Sequence, residues 1–540
     1  MDTAQSKHLL METACILLAV FFSYLALGNA GRFHPDEAYY MTSARHAAIN
    51  GDWLFLAEPI DKPPLTYYAN ALALVLFAIE SDADGVLQLN PLKGEFAGRM
   101  VSLWASIILV AVLIRLARRL SLYHNAGWIA GFIIALSPLR IVFAPTAFTD
   151  MPMLLFAVLG LWMSMQRKPL WAGFWLILAF WAKPQVIFYV PLYLVLLLTS
   201  VTNKYFCTTN MISRKWLFYF GSAHRHSPTK YPLSRGEPVS SPAETQKTLS
   251  IAPVFKDYLL TSLSFVLPII IGIGLLALWD STRITNGIDS FFTLGRTRYT
   301  PTALTAISDY PQRLLLWWQT IQYLAGHAII TIAGLVLIVL SVRRYLSDGL
   351  SQLGWLCLWI LAFVGVHMVL TLNLFDRNQL ILLPIFVVLC AEGIAYVHEN
   401  YRTGRTGWIA LGLCLLVFAW QAVFGYYPIG SDDGRHAGIH HLAQTLNDKP
   451  VATVIYDTWL DWELDYYMGQ WTDKRRVFYP TPELLIEDAL TLDEVGTRYF
   501  VVPRGEDATA WLMALQEAGF DIAIDSAFTN FTLYSLQPPQ

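Results

Sequence analysis

Over the first four-fifths of this chain the apolar positions follow neither the 3.6-residue period of an amphipathic helix nor the alternation of a strand. They fall instead in unbroken runs, most of them long enough to cross a hydrocarbon core of ~30 Å. The pattern predicts spans at roughly 9–29, 97–116, 126–144, 151–165, 170–182, 185–200, 258–279, 319–341, 352–371, 378–397 and 408–426. The runs at 151–165 and 170–182 are short for a bilayer, so one of them is read as longer or tilted. The count of spans is about 11, within a range of 11–13. Residues 66–79 are apolar but short, and are expected to lie at the interface or to re-enter it. After residue 427 the pattern changes. "VATVIYD", "RRVFYP", "RYFVVPR", "FDIAID" and "FTLYSL" read as short strands, with helices expected at 433–446, 482–491 and 507–519. The expected fold is a polytopic α-helical membrane protein, residues 1–427, followed by a small α/β domain, residues 428–540.

Composition agrees. Of 540 residues, 55% are apolar and 14% are charged, against about 25% charged in ordinary soluble domains. The net charge of −3 and the lack of a long basic tract give no support to nucleic-acid binding. Cys15, Cys207, Cys357, Cys390 and Cys414 are scattered, with no metal-ligand or disulfide spacing. "GNA" before Gly31 resembles a cleavage site, but Lys7 is the one positive charge ahead of the run and Glu12 interrupts it. A retained first helix is therefore expected.

Charge then orients the bundle. With the N-terminus inside, the short inner loops carry Arg115, Arg118, Arg119, Arg167, Lys168, Arg343, Arg344, Arg402 and Arg405, and the short outer loops only Lys183 and Arg377. The segment 201–257, basic and rich in Ser, Thr and Pro, is expected to be a loosely ordered cytoplasmic insertion. By parity the 428–540 domain is external. That orientation gathers Asp36, Glu37, Lys62, Asp150, Lys183, Arg296, Arg298 and Arg377 on the outer side, at or near span ends. Such a set suits a wet cavity at the outer interface; solvated loops that never meet are the plainer alternative.

"HPDEAYYMTSARHAAINGDW" followed by "IDKPPLTYY" resembles the first outer loop of the GT-C glycosyltransferases, in particular the protein O-mannosyltransferases and lipid A aminoarabinose transferases. "TAFTDMPM", "WAKPQ" and "FDRNQLILLP" resemble later motifs of the same groups, in the same order. The resemblance covers most of residues 9–400 and leaves the C-terminal domain without a counterpart. It implies transfer of a sugar from a polyprenyl-phosphate donor to an acceptor hydroxyl at the outer face of the cell membrane, with inversion. Asp36 matches the family's catalytic acid, Asp150 a second acid in the cavity, and Lys62 the lysine that contacts the lipid phosphate. Arg296, Arg298 and Arg377 are candidates for a further phosphate cation, and the "LGRTRYT" loop matches the family poorly. Glu37, Lys183 and Arg140 would support the site, with Arg140 expected to pair with an acid such as Asp150.

Other readings stay open. Asp36 and Asp150 could cap helices, and Lys62 and Lys183 could be surface or snorkelling lysines. Asp36, Glu37 and Asp150 could bind a divalent metal. "RHAGIHH" and "YDTWLDWELDYY" read as a solvated face and a half-buried acidic face. The acceptor could be a lipid, a glycan or a protein. A secondary transporter or lipid flippase is the competing class, although its charges would be expected near the bilayer midplane.

Overall fold

The computed structural model describes residues 3–539 except 82, 200, 202–250, 300–302, 325–327, 348–350, 402–404, 428–429, 431–433, 470–473 and 492–496. Helices α1 (Thr3–Gly28), α2 (Pro35–Asn50) and α3 (Leu65–Phe77) precede a small antiparallel ribbon, β1 (Ile79–Ser81) with β2 (Leu87–Leu89). There follow α4 (Pro91–Leu120), α5 (Ala126–Ala135), α6 (Pro138–Phe143), α7 (Asp150–Met165), α8 (Pro169–Ala182) and α9 (Pro184–Thr199). After the predicted insertion, of which 202–250 lies outside the described residues, come α10 (Ile251–Thr285), α11 (Phe291–Tyr299), α12 (Tyr310–Ile321) and α13 (Ala328–Ser347). The bundle closes with α14 (Gln352–Val369), α15 (Leu383–Tyr401) and α16 (Arg405–Val423). Among the described residues, five helices are long and apolar enough to cross a membrane and six shorter apolar helices join them. The chain is a multi-pass membrane protein.

Several elements differ from the pattern for local reasons. The predicted 126–144 run is two helices, because the Ser137 hydroxyl caps α6 by accepting the Arg140 N–H at 3.5 Å and Pro138 takes the first helical position. The 97–116 run begins earlier, at Pro91, where the Asn90 side chain accepts the Lys93 N–H at 3.1 Å. The 319–341 run falls across the end of α12 and most of α13. The 378–397 run becomes α15 only after a 3-10 turn, Asp376–Ile381, which carries Arg377. The apolar stretch 66–79 falls in α3 up to Phe77 and runs into β1, and within α3 Tyr67, Ala71 and Leu74 are buried while Leu72, Val75, Leu76 and Phe77 are exposed.

At the C-terminus five strands form one sheet in the order β4 (Arg475–Phe478), β3 (Val454–Asp457), β5 (Arg498–Pro503), β7 (Phe531–Gln537), β6 (Asp521–Ala527). β3 runs parallel to β4 and β5, and β7 is antiparallel to β5 and β6. All five match predicted strands. Helices α17 (Ile439–Asn447), α19 (Pro482–Thr491) and α20 (Thr509–Glu517) answer the predicted helices, and α18 (Asp461–Met468) is an addition, from the stretch read as an acidic face. α17 starts at Ile439, so His436 precedes it and shares no helical face with His440. Nor is His436 solvated: it is buried, with Nε2 3.1 Å from the Glu463 carboxylate.

Close helix contacts rest on missing side chains. A Cβ on Gly173 of α8 would lie 2.1 Å from the Phe265 carbonyl oxygen of α10, and backbone cannot move aside as a side chain can. Gly365 of α14 has open space around the same position. Gly173→Ala is therefore expected to destabilise the protein by roughly 1–3 kcal/mol, the usual cost of overpacking, whereas Gly365→Ala leaves thermal unfolding in detergent at or slightly above that of the wild type. Equal melting temperatures for the two variants would contradict the packing described.

Candidate functional site

The turn into α2 decides how the paired acids face. His34 is the N-cap: its Nδ1 accepts the Asp36 N–H at 3.1 Å, and Glu37 reaches back to accept the His34 N–H at 3.0 Å. This capping box spends the Glu37 carboxylate on the backbone and leaves that of Asp36 available. Asp36 is thus not the cap. The two acids then diverge, as successive residues on a helix must. The Glu37 side chain is 2% exposed, accepts the Ala147 N–H at 2.7 Å and lies 3.6 Å from Arg99. The Asp36 side chain is 36% exposed and forms a salt bridge with Arg377.

Around Asp36 the structure gathers groups from distant parts of the chain. Arg377 comes from the turn before α15, where Asp376 accepts its N–H at 2.7 Å and its guanidinium lies over the Phe148 ring at 5.2 Å. Lys62 comes from the loop before α3, buried beside Asp61 at 2.9 Å and over the Tyr40 ring at 4.8 Å. Asp150 at the start of α7 receives a 2.6 Å hydrogen bond from Lys183 at the end of α8. Burial alone would raise the Asp36 carboxyl, but Arg377, Lys62 and His34 together outweigh it and hold the group below its ordinary value. Burial likewise holds the Lys183 ammonium low, Asp150 opposing and Arg377 and Lys62 adding to the shift. Asp36, Lys62, Asp150, Lys183 and Arg377 thus lie near enough to feel one another's charge.

The remaining candidates differ. Arg296 is exposed on α11, next to Gly295, whose Cβ would sit 3.3 Å from the Asp61 carbonyl; α11 therefore borders the Lys62 loop. The side chain of Arg298 lies outside the described residues. Asp150 is taken by Lys183, and among the described residues Arg140 pairs with no acid. It is fully buried and donates to the Ser23 and Ser106 hydroxyls at 2.8 and 3.1 Å and to the Ala135 carbonyl at 2.9 Å. Three neutral acceptors take the Nη1 and Nη2 groups, while Nε stays buried without a partner, so Arg140 braces α1, α4 and the α5–α6 break rather than the site.

As for a metal, Asp36, Glu37 and Asp150 do not converge, since each is turned to its own cation or N–H group. A different group does gather: ligand atoms of His46, Glu58 and Asp465 lie within 4.8 Å of one another. Burial and then the Asp465 charge push Glu58 up to about 8. Asp465 is already compensated by Arg476 at 3.1 Å and Arg45 at 3.7 Å.

Sequence reasoning missed Asp61, Tyr40, Arg99 and Glu95. Asp61 stands beside Lys62 in the quoted loop and was legible as a neighbour. Arg99 lies within the predicted 97–116 run and Glu95 just before it, and they signal only that two charges, four residues apart on one helix face, need partners.

No family model matches this chain. An uncharacterised protein of Aquifex aeolicus (strain VF5) is 27% identical over 161 residues, which is 29% of this chain and 29% of that protein. The match thus spans under a third of the relative's length. Among solved structures, ArnT from Cupriavidus metallidurans superposes with a TM-score of 0.57 in the apo state and 0.56 bound to undecaprenyl phosphate, at 12% identity, over 99% of this chain and 98% of that one. The oligosaccharyltransferase AglB from Archaeoglobus fulgidus, in complex with an inhibitory peptide and a dolichol-phosphate, gives 0.52 at 12% identity over 99% of this chain and 74% of that one. This chain has their fold over nearly its whole length.

The different burial of the two acids has a measurable consequence. Glu37→Gln takes a charge from a buried set of hydrogen bonds and is expected to cost roughly 1–3 kcal/mol, read as a lower melting temperature in detergent. Asp36→Asn, at a partly exposed position, should change the melting temperature much less.

Proposed function

We propose that this protein is a membrane glycosyltransferase that moves a sugar from a polyprenyl-phosphate donor to an acceptor hydroxyl at the outer face, with inversion at the anomeric carbon. The observation that carries the reading is the Asp36–Arg377 salt bridge, set within the field of Lys62 at one end of a GT-C bundle. A carboxylate beside two cations is the pair of opposites this transfer needs. The bound undecaprenyl phosphate and dolichol-phosphate of the two structural neighbours support a lipid-phosphate donor.

The acceptor oxygen attacks the anomeric carbon from the face opposite the phosphate, and its proton passes to the Asp36 carboxylate. The bond from that carbon to the phosphate oxygen breaks, and its electron pair leaves on polyprenyl phosphate. Lys62 and Arg377, with Arg296 or Arg298 from α11, take up the charge that grows there. Arg377 has two duties in this scheme. In the free enzyme it holds Asp36 ionised, which also makes Asp36 a poor proton acceptor. As the phosphate draws the guanidinium toward itself, the carboxylate regains basicity at the moment it must act. Asp150 serves through Lys183, which it keeps beside the same cavity.

Residues 1–427 form the catalytic module in this reading and 428–540 an external domain, with 201–257 cytoplasmic. The charge asymmetry of the short loops supports that orientation. Impermeant thiol labelling of single cysteines in intact cells tests it: modification within 428–540 and protection within 201–257 are expected, and the reverse pattern sinks it.

The catalytic test is release of polyprenyl phosphate from a lipid-linked sugar by the detergent-solubilised protein, with no gradient present. A transporter or flippase would release none. Asp36→Asn should lower turnover by ~10²–10⁴-fold while the donor still binds. The pH dependence carries a sign. Activity that needs ionised Asp36 is lost as pH falls through its pKa, which Arg377 depresses. Arg377→Gln removes that depression and leaves the burial, so the acid limb of kcat/KM should move to higher pH; an unmoved limb would detach Arg377 from Asp36.

A further inference from the structure

The stretch "YDTWLDWELDYY" is a docking element, and one of its side chains reaches the loop that carries Asp36. α18 packs against α2, with Glu463, Leu464, Tyr466, Tyr467 and Met468 buried. Arg45 of α2 donates to the carbonyls of Asp465 and Tyr466 at 2.9 and 3.0 Å. The Tyr466 hydroxyl donates to the Pro91 carbonyl at 3.1 Å. A Cβ on Gly94 would fall 2.2 Å from that same hydroxyl, so the seat is tight.

Tyr467 does something different from its neighbour. Its hydroxyl accepts the Phe33 N–H at 2.9 Å and donates to the Glu95 carboxylate. Glu95 is bridged to Arg32 at 3.1 Å and to Arg99 at 3.7 Å. Arg99 donates to the Gly31 carbonyl at 2.9 Å, lies over the Phe33 ring at 4.9 Å and pairs with Glu37 at 3.6 Å. Glu37 in turn caps α2, on which Asp36 sits. The stretch from Gly31 to Glu37 is thus held at three backbone points, the Gly31 carbonyl and the Phe33 and His34 N–H groups, and through the Arg32 side chain, with Tyr467 reaching it from the C-terminal sheet region.

We propose that Tyr467 is a positioning residue for sugar transfer: its hydroxyl, shared between the Phe33 N–H and Glu95, sets through Arg99 and Glu37 the aim of the Asp36 carboxylate. The hydroxyl is suited to this because it donates and accepts at once, whereas phenylalanine fills the same volume and does neither. A reacting group displaced by a fraction of an ångström loses rate rather than affinity, since the donor's lipid and phosphate are held elsewhere. The C-terminal region is therefore part of the catalytic geometry. The inference rests on the glycosyltransferase reading above.

The test uses the full-length protein in detergent, with steady-state release of polyprenyl phosphate and thermal unfolding measured for wild type, Tyr467→Phe, Tyr466→Phe and Glu95→Gln. Tyr467→Phe is expected to lower kcat by ~10-fold, about the worth of one hydrogen bond to a charged group, with donor KM nearly unchanged. Tyr466→Phe, which removes a bond of the same docking helix outside the network, should keep wild-type kcat even where its melting temperature falls. Glu95→Gln should lower kcat in the same way, and it decides the matter should Tyr467→Phe not fold. Wild-type kcat in Tyr467→Phe, or in Glu95→Gln where that variant stands in, overturns the proposal, as does an equal loss in Tyr466→Phe, which would reduce Tyr467 to a docking contact. A wild-type protein that releases no polyprenyl phosphate overturns the glycosyltransferase reading and this one with it; release by the wild type with no selective effect of Tyr467→Phe overturns this one alone.

Discussion

Arg99 is the charge on which the site end of the bundle depends. It is buried between two carboxylates, Glu37 at 3.6 Å and Glu95 at 3.7 Å, and removing one partner of a buried ion pair leaves a charge without compensation. Beside Arg99, Glu37 caps α2 and Glu95 accepts from the Tyr467 hydroxyl. The loop between α1 and α2 holds one shape because its carbonyls, N–H groups and charged side chains are satisfied by this set. Electrostatic closure comes first, and the exposure of Asp36 follows from it.

The second feature is economy of cations. Lys62, Lys183 and Arg377 each have an acid beside them in the structure: Asp61, Asp150 and Asp36. Each pair sets opposite charges side by side in a partly buried region. Bare cations placed this close together would repel one another. Asp376 adds a structural link: it accepts the Arg377 N–H and also the N–H of Gly430 at 2.8 Å. Gly430 has φ of +86°, and a Cβ there would meet Val142 at 2.2 Å, so glycine alone fits this position without strain. Arg377 and Gly430 are thus tied to one carboxylate.

Much of this was legible in the residues. Long apolar runs demand helices in a bilayer because no other arrangement satisfies their backbone, and the strands of the C-terminal sheet declared themselves by β-branched, alternating runs. Boundaries were less legible: Ser137 and Pro138 broke one apolar run into two helices, a local capping effect that hydropathy does not weigh. The motif acids and Lys62 stood out as ionisable residues beside apolar spans. Their partners did not, since Arg99 and Glu95 look like incidental charges at the edge of a span, and Tyr467 like one aromatic among many.

The sequence by itself determined a membrane bundle with a C-terminal α/β region, and a set of charges placed at span ends. Those properties depend on local composition, and local composition is what a sequence displays. Only the tertiary structure decided which charges meet. Asp36 and Arg377, Glu37 and Arg99, and Glu95 and Tyr467 are brought together by the packing of separate helices. Arg140, as conspicuous in the sequence as any of them, was claimed instead by two serine hydroxyls and a carbonyl. A buried charge takes whatever partner the packing puts within about 3 Å, and that distance is a property of the fold.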